Sequence, residues 1–255
     1  MPFLTYEVND HLATITFRAP ERLNAISAEG LEELRSATVQ FREDDDARVL
    51  LIRGDGRAFC AGRDLKAHAT SGQSPEVRYD DQTNIFCLAE TSKPVITAIQ
   101  GYAIGAGWYF VAGSDIRIAA EGTKFSMAEV PTGLLGPYWL SAAESLPWCL
   151  GFEYAIVGTT VDAGRMLELG LLNEVVPAEE LDAAAGRWAR KLLALPPEHI
   201  KETKLLMSSM RTTPDEDLLA RELEARKRLD SLDDTLEAVN AFIEKRTPVY
   251  TGRKR

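Results

Sequence analysis

The stretch PVITAIQGYAIGAGWYFVAGSDIRIA, residues 94–119, decides the fold class of this chain. It opens with an apolar run that predicts a buried strand over 94–99. Glycines then allow a tight turn over 101–107, which leads into an apolar helix. A further strand is predicted over 115–119. Because a strand, a crossover helix and a second strand in alternation are typical of a parallel sheet, the stretch indicates an α/β core.

The same stretch has no charged residue from Pro94 to Ser114, and that length could span a bilayer. A proline at its start, Gln100 and repeated glycines favour a buried strand, a turn and a buried helix instead. We therefore expect no membrane span.

The residues before this stretch predict a hairpin, a helix and a buried strand. Segments 4–8 and 12–17 alternate in polarity around a turn at Asn9-Asp10. Ser27 is placed to cap a helix, and the apolar run 49–52 suits a strand buried on both faces. The capped helix has these positions at helical spacing: Leu31, Leu34, Thr38 and Phe41.

The last third of the chain is mostly helical by pattern. Asp162 is placed to cap a short helix that Gly170 ends, and a short strand follows over 173–176. Four helical segments come after it, starting near residues 181, 200, 218 and 236. We divide the chain into an α/β core, 1–190, and a C-terminal helical region, 191–255.

Charge excludes one class of partner. Lys and Arg total 29 against 39 Asp and Glu, a net charge of −10. Proteins that bind nucleic acid usually carry a basic face, so none is expected here. A few local basic residues can still hold the phosphates of a small ligand.

Cysteine usage points to a reducing compartment. Cys60, Cys87 and Cys149 lack CxxC spacing and predict neither a disulfide framework nor a zinc site. Residues 1–7 show no basic region followed by an apolar run, so no signal peptide is predicted. We expect a cytoplasmic protein.

Three segments combine small residues with groups suited to carbonyl chemistry. Segment 57–66, RAFCAGRDLK, follows a buried strand and can aim a backbone N–H at a carbonyl oxygen. Segment 100–107, QGYAIGAG, ends at a helix N-terminus, which favours a developing oxyanion. Segment 124–133, KFSMAEVPTG, sets Glu129 among apolar and small residues, where a carboxyl is suited to proton transfer.

In this order and spacing the segments resemble the crotonase family, the enoyl-CoA hydratase/isomerase superfamily. The resemblance extends over nearly the whole chain. It implies a crotonase-like ββα spiral core with a C-terminal helical trimerisation region, and a homotrimer or homohexamer. The segments that carry it are 18–25, 58–66, 101–107, 170–176 and 242–248.

The resemblance also implies roles for particular residues. The backbone N–H groups of Arg63 and Ala106 would polarise a thioester carbonyl and stabilise its enolate, while Glu129 transfers protons. Ala106 stands where the family usually has glycine, and it still supplies the N–H. The Arg63 side chain contacts either coenzyme A phosphate or solvent. Residues expected along the substrate are Ala61, Arg63, Asp64, Leu65, Lys66, Gly105 and Tyr109.

The chain departs from the family where hydratases have their first glutamate, because Tyr109 stands there. Single-glutamate relatives include Δ3-Δ2 enoyl-CoA isomerases and also hydroxycinnamoyl-CoA hydratase-lyases, in which one glutamate serves in hydration and C–C cleavage. Relatives that use an aspartate eight residues after Glu129 are not favoured, since that position is Pro137. Tyr138 and Trp139 wall an acyl pocket or pack in the core, and Glu144 is a second carboxylate or a solvated group.

Three functions follow from these residues. We expect hydration of a 2-enoyl-CoA; the alternatives are a Δ3-Δ2 enoyl-CoA isomerase and a non-catalytic CoA-binding subunit. His11, His68 and His199 show no ligand spacing, so no metal or redox cofactor is expected. Coenzyme A enters only as part of the substrate.

Overall fold

The computed structural model describes residues 2–64, 91–136, 145–209, 216–230 and 232–250. Its main sheet contains six strands, and a smaller sheet contains three. The strands in chain order are β1 Leu4–Asn9, β2 Leu12–Phe17, β3 Val49–Gly54, β4 Val95–Ile99, β5 Tyr102–Ile104, β6 Ile116–Ala120, β7 Lys124–Ser126, β8 Val161–Asp162 and β9 Glu174–Val176.

The main sheet has the order β1-β2-β3-β4-β6-β9. Only β1 and β2 pair antiparallel, as the predicted hairpin, and every later neighbour pairs parallel. The parallel sheet predicted from 94–119 is therefore confirmed. The sequence also predicts a helix over 77–90, and these residues lie outside the described part of the chain.

Both faces of the main sheet are covered. Leu50 and Ile52 of β3 lie in the larger core cluster, which also contains Phe17 and Phe41. Val49 and Leu51 alternate to the opposite face and lie in a second cluster. The prediction for β3 is thus confirmed: its apolar run is continuous because the strand is buried on both faces.

The smaller sheet was not predicted. Residues 101–107 were expected to turn directly into a helix, but β5 intervenes and pairs parallel with β7, which pairs antiparallel with β8. Each of these strands has two or three residues. Segments this short hold too few alternating side chains to show a period, so only tertiary pairing reveals them.

The first helix, α1, spans Ala28–Glu43 and has the predicted cap. The Ser27 hydroxyl accepts a hydrogen bond from the Gly30 N–H at 3.1 Å. At the other end, the buried Lys93 ammonium donates to the carbonyls of Phe41 and Asp44 at 2.8 and 2.6 Å. A cation at these carbonyls satisfies groups that a helix C-terminus leaves open.

The remaining helices begin with a short one behind the small sheet and end in the C-terminal region. Asp162 caps the second of the mid-chain helices by accepting from the Arg165 N–H at 2.9 Å, as predicted. Among the described helices, none is long and apolar enough to cross a membrane. They are α2 Ala106–Ala112, α3 Trp148–Phe152, α4 Ala163–Glu168, α5 Leu181–Leu193, α6 Pro197–Ser209, α7 Glu216–Asp230 and α8 Asp233–Glu244.

Candidate active site

The first motif is held against the turn of the second by backbone hydrogen bonds. Cys60 N donates to Tyr102 O, and Ile104 N donates to Cys60 O, both at 3.0 Å. On the opposite side of the first motif, Ile26 N donates to Gly62 O at 2.8 Å and Asp64 N donates to Ile26 O at 2.9 Å. Because successive peptides alternate in direction, the Arg63 N–H points away from Ile26.

Gly62 makes a close approach between the two motifs. Its φ is +93°, and a Cβ at this position would lie 2.9 Å from Ile104 O and 3.7 Å from Ala106 N. Only glycine combines this backbone conformation with contact at that distance. The backbone at Arg63 therefore lies beside the start of helix α2.

Helix α2 begins at this contact. Gly105, with φ of +52°, precedes it, and the Gly105 N–H donates to Ser126 O at 2.9 Å. Ala106 is the first helical residue, so its N–H has no acceptor within the helix. Gly107 lies against the Cys60 carbonyl, where a Cβ would collide with the backbone. The helix N-terminus is thereby fixed beside the first motif.

The Glu129 side chain comes to the start of helix α2 from a different element. It caps the 3-10 turn Val130–Thr132, and its Oε1 lies 3.0 Å from where a Cβ on Gly105 would be. The other oxygen, Oε2, is buried and makes no hydrogen bond within the described part of the chain. The carboxyl therefore lies against the Gly105–Ala106 backbone.

Two tyrosines lie around the Glu129 carboxyl. The hydroxyl of Tyr109, from α2, and the Glu129 side chain both contact the space that a Cβ on Gly136 would fill. Tyr154 comes from a π-helical turn, Glu153–Val157, and its ring meets Trp108 edge-on at 5.4 Å. Tyr109 and Tyr154 are 2% and 3% exposed, so neither is a solvated surface group.

Burial sets the protonation of this cluster. Loss of solvent raises the pKa of the Glu129 carboxyl above its usual range, while a hydrogen bond with Tyr109 and the charge of Arg63 partly offset that rise. Burial, and next the nearby Glu129 charge, raise the pKa of Tyr154 well above its usual value. Burial thus favours the protonated form of both Glu129 and Tyr154.

A cavity of about 570 Å³ opens in front of these groups. Glu129, the Ala106 backbone and the side of the first motif all line it. Asp64 also forms an ion pair with Arg22 at 3.9 Å. The lining residues are Glu21, Arg22, Leu23, Ala25, Arg57, Ala61, Gly62, Arg63, Asp64, Ile104, Gly105, Ala106, Ala128, Glu129, Thr132, Leu134 and Phe242.

Most predicted site residues meet at this cavity. Ala61, Arg63, Asp64, Gly105, Ala106 and Glu129 line it. Tyr109 lies behind Glu129 instead, so its contact with substrate stays a prediction. Leu65, Lys66, His68, Pro137, Tyr138, Trp139 and Glu144 lie outside the described residues.

Sequence reasoning missed three further cavity residues and Tyr154. Arg22 and Arg57 bring positive charge to the wall, and Phe242 of α8 brings an apolar ring. Phe242 belongs to a segment that the resemblance singled out, but nothing in its spacing assigned it to a site. Among the described residues, no group of three or more His, Cys, Asp or Glu side chains is placed to hold a metal ion.

This α/β spiral, with two glycine-lined backbone turns and a carboxyl on one cavity, defines a crotonase-fold enzyme. Residues 7–253 match the family described as enoyl-CoA hydratase/isomerase, and the chain belongs to that family.

Relatives in this family carry several activities. The chain is 33% identical to 1,2-epoxyphenylacetyl-CoA isomerase of Escherichia coli (strain K12), covering 99% of this chain and all of the relative. It is 29% identical to (E)-benzylidenesuccinyl-CoA hydratase of Thauera aromatica, covering 98% and 99%. The crystal structure of carnitinyl-CoA hydratase from Mycobacterium avium superposes with a TM-score of 0.88 at 27% identity, covering 99% of this chain and all of that one.

Proposed function

We propose that this chain is an acyl-CoA isomerase that moves the double bond of a 3-enoyl thioester to position 2. The observation that carries the proposal is the Glu129 carboxyl at the cavity, which in the described part of the chain has Tyr109 and no second carboxyl beside it. Glu129 contacts Tyr109 at the place where hydratases of the family have their other glutamate. One carboxyl is enough to shuttle a proton between two carbons, whereas two are typical of water addition.

The backbone N–H groups of Arg63 and Ala106 bind the thioester oxygen in this proposal. The Glu129 carboxylate removes a proton from C2, and the negative charge moves to that oxygen. The protonated carboxyl then returns the proton to C4 as the double bond shifts from C3–C4 to C2–C3. Support comes from the Gly62 contact, which brings the two backbone segments together beside Glu129.

Basic residues at the cavity support a coenzyme A thioester as the ligand. Arg22, Arg57 and Arg63 all line it, in a chain with a net charge of −10. Guanidinium groups suit phosphate, and a local cluster can bind it despite acidity elsewhere. Saturable binding of acetyl-CoA in calorimetry at low salt, weakening as salt rises, is the expected result. Absence of binding contradicts the ligand class.

Hydration of a 2-enoyl thioester is the second candidate. Hydratases among the relatives favour it, and Glu129 can remove a proton from water as the oxygen adds to C3. The enolate then takes a proton at C2. A non-catalytic CoA-binding subunit is the third candidate and predicts binding without turnover.

One experiment separates the three. The protein is incubated in D₂O with 3-enoyl-CoA and with 2-enoyl-CoA thioesters of several chain lengths, and the products are examined by mass spectrometry. An isomerase converts the 3-enoyl substrate with partial retention of hydrogen and adds no water. A hydratase gains deuterium and hydroxyl on the 2-enoyl substrate. Glu129→Gln is the control, and unchanged turnover in it contradicts the role of Glu129 as the proton carrier in either reaction.

A further inference from the structure

We infer that Tyr154 is a positioning residue for Glu129, its hydroxyl donating to the buried Oε2 oxygen when the carboxyl is charged. This inference rests on the proposed role of Glu129 as the proton carrier. It deepens that role by naming what holds the carboxyl between the two proton transfers.

The two groups are complementary and close in the fold. Glu129 Oε2 and the Tyr154 hydroxyl are both buried, and neither has a hydrogen-bond partner within the described part of the chain. One is an acceptor and the other is a donor. Buried polar atoms are nearly always satisfied, directly or through one water, so an unsatisfied acceptor and an unsatisfied donor on neighbouring segments are candidates for a functional pair.

Packing brings the two segments together. The Ser126 hydroxyl donates to Gly158 O at 2.9 Å, which joins the strand before Glu129 to the end of the π-helical turn. A Cβ on Gly158 would lie 2.7 Å from both Met127 O and Pro131 Cγ. The charge of Glu129 also acts on Tyr154, whose pKa it raises after burial itself. The carboxyl and the hydroxyl therefore belong to two segments that pack directly against each other.

The ring of Tyr154 is held rigidly. It meets Trp108 edge-on, and Trp108 in turn meets Phe125 edge-on at 5.8 Å. Because Trp108 and Tyr109 are successive residues of α2, one helix supports the Tyr154 ring and also supplies the Tyr109 hydroxyl. Fixed donors of this kind lose little entropy when the carboxyl ionises, which suits preorganised proton transfer.

Donation to the charged form lowers the pKa of the carboxyl and opposes the effect of burial. The other groups that act on Glu129 are Tyr109 from α2 and Arg63 from the first motif, whose guanidinium stays charged throughout. Tyr154 itself stays protonated near neutral pH, so it acts as a donor and not as a base.

Tyr154→Phe tests the inference, and Tyr6→Phe is a matched control. Tyr6 also has a buried hydroxyl without a partner in the described part of the chain, but it lies on β1. We expect Tyr154→Phe to lower kcat about tenfold to hundredfold with KM little changed, because a hydrogen bond to a charged group is lost. The acidic limb of the kcat profile should move to higher pH. Tyr6→Phe should change neither.

A second measurement does not depend on turnover. Infrared titration of the protonated carboxyl, taken as the difference from Glu129→Gln, follows the Glu129 pKa directly, and that pKa should be higher in Tyr154→Phe. The same pKa in Tyr154→Phe and the native protein would overturn the inference, even if Glu129→Gln abolishes turnover. A raised pKa without turnover of any enoyl-CoA would uphold it while the proposed function fails.

Discussion

Folding removes the Glu129 carboxyl from water, and this fixes the direction in which the free energy of unfolding changes with pH. Because its pKa is raised above the usual 4.5, the folded chain binds more protons than the unfolded chain between those two values. The free energy of unfolding therefore falls as pH rises through this window. Above this pH window the buried carboxyl is ionised, and its lost hydration lowers the free energy of unfolding.

Replacing Glu129 with Gln should therefore separate activity from stability. We expect turnover to fall by about 10²–10⁴-fold with binding largely kept. At pH 8 the variant should unfold at a higher temperature than the native protein, by about 2–4 °C for each kcal/mol of penalty removed. The gap should close as pH falls below 4.5. Thermal unfolding across this range is the measurement, and a less stable variant at pH 8 would contradict the sign.

Gly136 allows the Tyr109 hydroxyl and the Glu129 side chain to lie in contact. A Cβ there would collide with Tyr109 and would lie 2.8 Å from Glu129 Cγ. We expect Gly136→Ala to lower kcat by about tenfold to hundredfold with a smaller change in KM, since misplacing a reacting group by 1 Å can cost that much. Gly164→Ala is the control, because only the Asp162 carboxylate lies near, at 3.4 Å. Equal kcat for both variants would contradict the expectation.

At the scale of elements, local patterns predicted most of what the structure contains. The hairpin and α1 with its Ser27 cap leave periodic signals within a few residues, and the buried β3 leaves a continuous apolar run. The small sheet left none, because its strands are too short to alternate. Tyr154 was missed for a related reason: its link to Glu129 depends on how two separate turns pack.

Asn24 ties the end of β2 to the end of β3. Its side chain accepts from Ala19 N at 2.9 Å and donates to Asp55 O and Ala58 O at 2.9 and 2.8 Å. We expect Asn24→Ala to lower the free energy of unfolding by about 2–4 kcal/mol in chemical denaturation, since three buried groups lose a partner.

Backbone strain at this position needs its own control, because Asn24 has φ of +56°. Asn24→Gly removes the same hydrogen bonds without that strain, so it should be more stable than Asn24→Ala by about 1–2 kcal/mol. A loss below about 0.5 kcal/mol in both variants would show that the three bonds contribute little.

At the scale of the whole molecule, the C-terminal region contributes to the cavity it follows. Helix α8 packs on the turn after Glu129, where Gly133 lies against Ala238, and Phe242 lines the cavity. The convergence of the three sequence motifs was predicted from the family resemblance that their order and spacing carry. The packing of α8 beside the cavity could not be predicted, because the spacing of its apolar residues is the same whether they cover a site or a core.

We expect three or six copies in the assembled protein. Helix α3 and the turn after it expose the apolar side chains of Trp148, Phe152 and Val157 at 77%, 49% and 61%, and neighbouring exposed apolar side chains often mark contacts between subunits. Sedimentation velocity at micromolar concentration should show a trimer or a hexamer. Trp148→Glu should lower the mass, whereas Gln40→Glu, on the exposed side of α1, should not. A native monomer would contradict the expectation.

The close contact at Gly62 has a consequence for how this scaffold changes over generations. The two groups proposed to hold the thioester oxygen belong to the main chain, so no exchange of a side chain at 63 or 106, other than to proline, deletes them. Side chains around the carboxyl, such as those of Tyr109 and Tyr154, can therefore be exchanged while the oxygen-binding turn keeps its shape. In this scaffold the shape of the backbone holds the thioester oxygen, and a new reaction needs only a few substitutions around it.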